Sequence, residues 1–339
     1  MMTFYKAVAI FALLPMLTGL AGCQNYPNQS SSVENTAYTA FDSQLRFELI
    51  SPQSRHDLYD SFLEKNYSWN TLKHGVPPLI VEKFPDDFYE LAAGSERKKI
   101  FFLTLLPMIL LVNEEITVER NALLELFSRH DRDEPLKPEE LNQIAAAAHH
   151  YKVKSDPLTD RHARLLLLNR LDKIPPSLAL AQAASESAYG TSRFARLGNN
   201  LFGEMTFNDI EGIMPLNREQ GAKHRARVFP TLLDSLRAYI NNLNTHPAYQ
   251  ELRQIRWELQ LRGEDVRGME LAKGLELYST RKEAYVDDIR TIIRANNLPK
   301  HTATATLRRE EPPPTLPPVE NSMTKASRQF YGRELLSQN

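Results

Sequence analysis

The centre of the chain carries the run Ser177-Leu-Ala-Leu-Ala-Gln-Ala-Ala-Ser-Glu-Ser-Ala-Tyr-Gly-Thr-Ser-Arg-Phe-Ala195. Pro175-Pro176 stands before it and imposes an extended approach, because proline fixes its own φ and keeps the preceding residue out of the α region. From Leu178 the residues are nearly all good helix formers, and most are as small as alanine or serine. The run predicts a slim helix that ends near Tyr189-Gly190 and lets neighbouring backbones or a substrate come close. Thr191-Ser192 then offers an N-cap for a short second helix.

Glu186 has a distinctive position on this predicted helix. Leu178, Gln182 and Glu186 follow one another at every fourth residue, so they share one face. Glu186 lies in the last turn, where the partial negative charge of the helix end and apolar surroundings both raise the pKa of a carboxyl group. A carboxyl group that stays protonated near neutral pH can act as a general acid. The alternative is a solvated surface glutamate, and the helix alone does not distinguish the two.

The residues that follow the helix favour the general acid over the surface glutamate as the role of Glu186. Gly198-Asn-Asn-Leu-Phe-Gly203 comes almost directly after it. Together the two segments give Ala-Gln-Ala-Ala-x-Glu-Ser-x-Tyr-Gly-Thr-Ser-Arg-Phe-Ala-Arg-x-Gly-Asn-Asn-Leu-Phe-Gly, which resembles the glucosaminidase family of peptidoglycan hydrolases, of the flagellar and autolysin type. Within that family the pattern is most similar to the bacterial Bax-type proteins. The resemblance implies a mainly α protein with a lysozyme-like helical lobe. Between Glu204 and Phe229 the helical period is lost, which predicts a small β-hairpin flap there.

The resemblance also implies which groups cleave a β-1,4 glycosidic bond. Glu186 matches the general acid of the family, which protonates the leaving oxygen. A second carboxylate on the flap would help to activate water, and Glu219 is the first choice, with Glu211 and Glu204 behind it. The flap is where this sequence departs most from the family pattern. The acetamido oxygen of an N-acetylglucosamine substrate can also serve as an internal nucleophile in place of that carboxylate.

Three tyrosines are further candidates for the site. Tyr278 stands where the family has a tyrosine near the cleft, although Arg281-Lys282 replace the Asp-Pro that usually follow. Tyr189 replaces the commoner tryptophan and is a candidate for stacking on a sugar face. Tyr285 is an outside candidate, for which helix packing is at least as good an explanation.

Two residues of the turn after the helix are candidates for substrate binding. Asn200 either bonds to sugar hydroxyls or shapes the turn, and Phe202 either contacts substrate or packs the cleft wall. No cofactor is expected. No metal is expected either, because His149-His150 point about 100° apart on a helix and have no acidic or cysteine partners nearby.

The N-terminus predicts a lipid anchor. Residues 1–22 have the charge and the apolar core of a signal peptide, and Leu20-Ala-Gly-Cys23 resembles a lipobox, in which the cysteine is lipidated. Cys23 is the only cysteine in the sequence, so no internal disulfide is expected. Gln24 resembles the residue typical of outer-membrane lipoproteins, which predicts a lipid-anchored protein of the periplasm. The alternative is an ordinary signal peptide with an incidental cysteine.

The rest of the chain divides by composition into four parts. Residues 23–40 predict a flexible tether, residues 41–154 an N-terminal helical region, residues 155–300 the catalytic domain and residues 301–339 a disordered proline-rich tail. The apolar run Ile100–Val112 is shorter than the roughly 20 residues of a spanning helix and is interrupted by Pro107, so it predicts a buried core helix. A further helix is expected at Glu119–Arg129. The net charge of −1 over 339 residues gives no argument for nucleic acid.

Three functions are consistent with these observations. The first is an N-acetylglucosaminidase that hydrolyses peptidoglycan glycan strands. The second is a lytic transglycosylase, which acts on the same polymer with one catalytic glutamate and yields anhydro sugars. The third is a cell-wall-binding lipoprotein without activity, against which the intact pattern around Glu186 argues.

Overall fold

The computed structural model describes residues 47–206, 212–216 and 224–309. Within these ranges the protein is mainly α-helical with a few short strands, which confirms the predicted fold class. The α-helices are α1 (Arg55–Glu64), α2 (Ser95–Asp131), α3 (Pro138–His150), α4 (Arg161–Arg170), α5 (Pro176–Ser187), α6 (Arg193–Gly198), α7 (Leu232–Thr245), α8 (Gln250–Leu261), α9 (Gly268–Leu271), α10 (Glu283–Ala295) and α11 (Leu298–Thr302). The strands are β1 (Glu48–Ile50), β2 (Leu79–Val81), β3 (Met205–Thr206) and β4 (Arg225–Ala226), and 3-10 turns lie at Leu72–His74, Asp86–Glu90, Pro247–Tyr249 and Ala272–Leu275.

Helix α5 is the central element of the helical lobe. It packs against α2 and α10, and it also contacts α9 and α11. Every residue from Ser177 to Ala184 is buried. Because most of these side chains are small, the surrounding helices can approach α5 closely at native packing density. The slim helix predicted from the sequence is thus the core of the domain.

Helix α2 passes through Pro107 without a break. The predicted interruption is wrong, and the separate helix expected at Glu119–Arg129 is the second half of α2. A proline inside a helix leaves the carbonyl four residues earlier without its donor. Here that carbonyl belongs to Leu103, and the buried hydroxyl of Tyr67 donates a hydrogen bond of 2.9 Å to it. A side chain from outside the helix therefore replaces the donor that Pro107 removes.

Helix α2 is also long and apolar enough to cross a membrane. In its most apolar 18-residue window, however, 78% of the residues are buried inside the protein. A helix buried on this scale is the core helix of a globular domain, as predicted for Ile100–Val112.

Polar bonds join α2 to the segment that leads into α5. The side chain of Asn113 donates to the carbonyl of Ile174 over 2.8 Å and accepts from its N–H over 3.0 Å. Arg120 donates to the carbonyl of Leu171 over 2.8 Å. These bonds fix the chain just before Pro175-Pro176 and so set the direction in which α5 begins.

The N-terminal region contains strands as well as helices. Strands β1 and β2 pair in parallel, with Leu49 opposite Ile80. The region predicted to be helical from residue 41 to 154 therefore includes a small sheet, whose three-residue strands are too short to show a period of two in the sequence.

The end of the described chain is tied to this N-terminal region. Leu307 bridges to Val76, and Arg308 donates to the carbonyls of Gly75 and Lys65. The boundary predicted for the disordered tail is thus too early, because residues 301–309 belong to the fold. Helix α11 extends through His301 to Thr302.

The flap forms a small antiparallel sheet next to the helical lobe. Met205 pairs with Ala226 and Thr206 with Arg225, and Ile213 bridges to Ala226. This agrees with the predicted β-hairpin. Residues 207–211 and 217–223 are outside the described ranges.

Candidate active site

The end of α5 is built to hold Glu186 in its last turn. The helix stops because Ala188 and Tyr189 both take left-handed backbone conformations, with φ of 50° and 56°. The hydroxyl of Ser187 accepts a hydrogen bond of 2.8 Å from the N–H of Gly190. A Cβ at Gly190, where φ is 81°, would lie 3.2–3.3 Å from the rings of three buried phenylalanines, so a glycine fits this turn best. The hydroxyl of Ser192 then caps α6, as predicted.

Glu186 is half-buried, and this burial raises the pKa of its carboxyl group. A hydrogen bond from the hydroxyl of Tyr285 and the charge of Arg281 act in the opposite direction and lower that pKa. Burial is the largest effect, so the net shift is upward, as predicted for a general acid.

Gln182, one turn before Glu186, organises the tyrosine that contacts it. Gln182 is fully buried, and its Oε1 accepts a hydrogen bond of 2.6 Å from the hydroxyl of Tyr239. Its Nε2 donates over 3.0 Å to the hydroxyl oxygen of Tyr285. Since that oxygen already accepts from Gln182, its proton is directed to the carboxylate of Glu186. The sequence predicts Gln182 and Glu186 on one face of α5. In the structure this spacing lets Gln182 orient the hydroxyl of Tyr285 towards Glu186.

Tyr278 lies in an aromatic cluster beside Glu186. Its ring stacks on the ring of Tyr285, with centroids 5.2 Å apart, and approaches the ring of Tyr249 at 5.8 Å. Burial, followed by the negative charge of Glu186, raises the pKa of Tyr278. The structure thus places Tyr278 and Tyr285 together at Glu186. Tyr249 and Tyr239 are residues that the sequence did not single out.

Glu204 is the flap carboxylate that the structure describes. Its Oε2 lies 3.5 Å from Nη1 of Arg227, while its Oε1 is buried and has no hydrogen-bond partner among the described residues. Burial raises the pKa of Glu204 to about 7, although Arg227 lowers it. Burial also raises the pKa of Tyr249 to about 12, with smaller contributions from Glu186 and Glu204. The charges of Glu186 and Glu204 therefore both affect the pKa of Tyr249.

Asn200 fixes the backbone on which Glu204 stands. Asn200 is buried, and its Nδ2 donates to the carbonyls of Glu204 and Arg227 over 2.8 and 2.9 Å. Its Oδ1 accepts from the N–H of Glu204 over 2.9 Å. Because both amide protons are used inside the protein, the structure supports the turn-shaping alternative for Asn200 rather than substrate binding.

The other two predicted substrate-binding residues make mainly internal contacts. Phe202 is buried and stacks on Tyr239 with centroids 3.8 Å apart, so it packs the wall of the site. Tyr189 is half-buried, and its ring meets the edges of Phe101 and Phe102 on α2. The structure therefore gives Tyr189 a packing role between α5 and α2.

Several predicted residues lie outside the described ranges. Glu219 and Glu211 belong to the flap segments that are not described, and Cys23 precedes residue 47. Among the described residues, no group of three or more histidine, cysteine, aspartate or glutamate side chains is arranged to hold a metal ion.

A cavity of about 1230 Å³ opens at the other end of α5. It is lined by Pro175, Ser177 and Arg256 among others, and not by Glu186. Helix α5 has 12 residues, so its two ends are separated by roughly 18 Å. This cavity is distinct from the site around Glu186.

The site lies in a part of the chain that is similar to known proteins. Residues 165–298 match the family model Glucosaminidase, described as mannosyl-glycoprotein endo-β-N-acetylglucosaminidase. The protein Bax of Escherichia coli (strain K12) is 34% identical over 222 residues, which make up 66% of this chain and 75% of that protein. No solved structure matches the chain significantly. The matched segment contains Glu186, Glu204 and the tyrosines Tyr239, Tyr249, Tyr278 and Tyr285.

Proposed function

Because the chain belongs to the glucosaminidase family, we propose that it is an endo-β-N-acetylglucosaminidase that hydrolyses the β-1,4 bonds of peptidoglycan glycan strands. The observation that carries the proposal is Glu186, a half-buried carboxyl group with a raised pKa at the end of the central helix. Family membership itself supports a glycosidase activity related to peptidoglycan. The bond that is cut and the residue roles are our proposal.

In the proposed reaction Glu186 is the general acid. Its carboxyl group transfers a proton to the glycosidic oxygen, the bond to the anomeric carbon breaks, and an oxocarbenium-like centre develops on the sugar. The hydrogen bond from Tyr285 then stabilises the carboxylate that Glu186 becomes. The hydrogen bond from Tyr285 therefore holds the side chain of Glu186 in place before proton transfer and favours its charged form afterwards.

The oxocarbenium-like centre requires a second group. Either a flap carboxylate activates water, with Glu219 as the first choice and Glu211 and Glu204 behind it, or the acetamido oxygen of the substrate attacks first and water opens the cyclic intermediate. In the second route the protein needs to supply a single catalytic carboxyl group.

Mass spectrometry of the muropeptides released by the purified protein tests this function. We expect fragments with a reducing N-acetylglucosamine end, and their loss in Glu186→Gln. Anhydro sugars in the digest would instead identify a lytic transglycosylase. If wild-type protein released no fragments while still binding glycan, it would be a non-catalytic cell-wall protein.

We further propose that the protein is anchored in the periplasm through a lipid on Cys23 and not through helix α2, which is buried in the domain. The lipobox-like Leu20-Ala-Gly-Cys23 and Gln24 support an anchor in the outer membrane. One or two acyl chains would hold the domain at the membrane, and residues 23–40 would give it reach towards the glycan.

A further inference from the structure

We propose that the cavity at the start of α5 holds a segment of the same chain, residues 310–318, with the sequence Glu-Glu-Pro-Pro-Pro-Thr-Leu-Pro-Pro. This tail segment follows directly after the last described residue. The cavity lies at the end of α5 opposite to Glu186, so the inference does not depend on the proposed glycosidase function.

The described chain ends at the wall of this cavity. Arg308 and Arg309 both line it, and Arg309 forms an ion pair with Glu114, another residue of the wall. Residue 310 therefore starts at the cavity and needs no linker to enter it. A cube of about 1230 Å³ is about 11 Å on a side, and four residues of a proline-rich chain span about 12 Å at about 3.1 Å per residue. The first half of the tail segment is thus long enough to cross the cavity.

The charges of the wall are complementary to the start of the tail segment. Each acidic side chain that lines the cavity is already paired with an arginine of the fold, and these acids are Glu114, Asp172, Glu264 and Asp265. Two basic side chains of the wall have no carboxylate partner in the part of the chain that the structure describes. Lys173 is exposed, and Arg308 donates to three backbone carbonyls. Glu310 and Glu311 supply two carboxylates for these two positive charges.

The apolar part of the wall suits the prolines of the tail segment. Pro175, Pro299 and Leu307 line the cavity, and the rest of the fold does not cover them fully. Because proline has no N–H, residues 312–314 can leave water without stripping a backbone donor of its hydration. A run of prolines also has little conformational freedom to lose when it binds. An acidic pair followed by three prolines therefore matches both the charged and the apolar sides of this cavity.

Disulfide formation in the full chain tests the inference. A segment tethered this closely has an effective concentration on the order of millimolar, so it occupies the cavity even where a free peptide would bind weakly. Cys23→Ser removes the only natural cysteine, and Thr315→Cys places one in the tail segment. A second cysteine replaces either Ala303, which lines the cavity, or Thr304, which is equally exposed but not part of the wall. We expect the disulfide within one molecule to form several-fold faster with Ala303→Cys than with Thr304→Cys.

Charge variants test what holds the tail segment. Lys173→Glu should slow formation of the disulfide at Ala303→Cys, and so should Glu310→Gln combined with Glu311→Gln. Each ion pair that is lost should slow it by about 1.4- to 5-fold, the equivalent of about 0.2–1 kcal/mol. Lys154→Glu is the matched control, because it reverses the charge of an exposed lysine that does not line the cavity, and it should leave the rate unchanged. Thermal unfolding checks that each variant is folded.

Three results would overturn the inference. Equal rates with Ala303→Cys and Thr304→Cys would show that the tail segment does not occupy the cavity. Disulfides that join two molecules, and none within one molecule, would assign the cavity to the tail of a second copy. A rate at Ala303→Cys that responds to Lys154→Glu as strongly as to Lys173→Glu would show that the charges of the wall do not hold the segment.

Discussion

A Gln182→Met substitution removes the amide that joins Tyr239 to Tyr285 and keeps a side chain of similar length. The hydroxyl of Tyr239, a residue only 1% exposed, loses its acceptor, and an unpaired buried donor costs about 1–3 kcal/mol. Tyr285 loses one donor, worth about 0.5–1.5 kcal/mol. We therefore expect the free energy of unfolding to fall by about 1.5–4.5 kcal/mol, and Tm to fall on the order of 5–15 °C.

The same substitution should change the titration of Glu186. Without Gln182, the hydroxyl of Tyr285 is free to turn away from Glu186, and the hydrogen bond that lowers the pKa of that carboxyl group weakens. The pKa of Glu186 should rise. Because a general acid is lost when it deprotonates, the alkaline limb of the pH profile of kcat/KM should move to higher pH.

The assay combines denaturant unfolding with the pH profile of muropeptide release, and each variant is compared with the wild-type protein. Tyr239→Phe is the matched control. Tyr239→Phe lowers the stability but keeps the hydrogen bond from Gln182 to Tyr285. The alkaline limb of the pH profile should therefore stay in place. If the limb stayed in place in both Gln182→Met and Tyr285→Phe, the assigned role of the hydrogen bond would be refuted. A limb that moved equally in Tyr239→Phe would show that the shift reflects lost stability alone.

Three further predictions concern the proposed function. Glu186→Gln should lower the rate of glycan cleavage by about 10²–10⁴ with unchanged thermal unfolding, because it removes the transferable proton and little volume, and near-wild-type activity would contradict the assignment. Cys23→Ser should release the protein from the membrane fraction and abolish fatty-acid labelling, and a labelled variant would rule out lipidation at Cys23. Glu219→Gln should cause a moderate loss of rate with retained glycan binding if Glu219 activates water. An almost unchanged rate, together with strong inhibition by a thiazoline that mimics the cyclised acetamido group, would point to the substrate as nucleophile.

The features that sequence predicted correctly are local ones. The composition of Leu178 to Ser187 predicts α5. Ser192 predicts the cap of α6, and the loss of helical period after Glu204 predicts the β flap. In each case the determining interactions span a few residues, so the pattern is visible in a short window.

The features that sequence missed depend on contacts between distant residues. Pro107 is accepted in α2 because Tyr67, which lies 36 residues before Leu103, supplies the missing donor to the carbonyl of Leu103. Gln182 reaches Tyr285 across 103 residues. The raised pKa of Glu204 arises from burial, which the charge of Arg227 offsets only in part, and neither effect has a sequence motif. No pattern within a short stretch of sequence indicates which distant residues will contact each other.

The contact between α5 and α2 bears on whether the family-matching part of the chain is an independent unit. A fragment starting at residue 155 would retain Glu186 and the tyrosines, but it would lack α2, against which α5 packs, and the amide of Asn113 that holds Ile174. The apolar side of α5 that α2 covers would then be open to water, and such surfaces promote aggregation. The N-terminal region is therefore an internal part of the enzyme's folding unit, and a shortened enzyme would need either this region or another helix in its place.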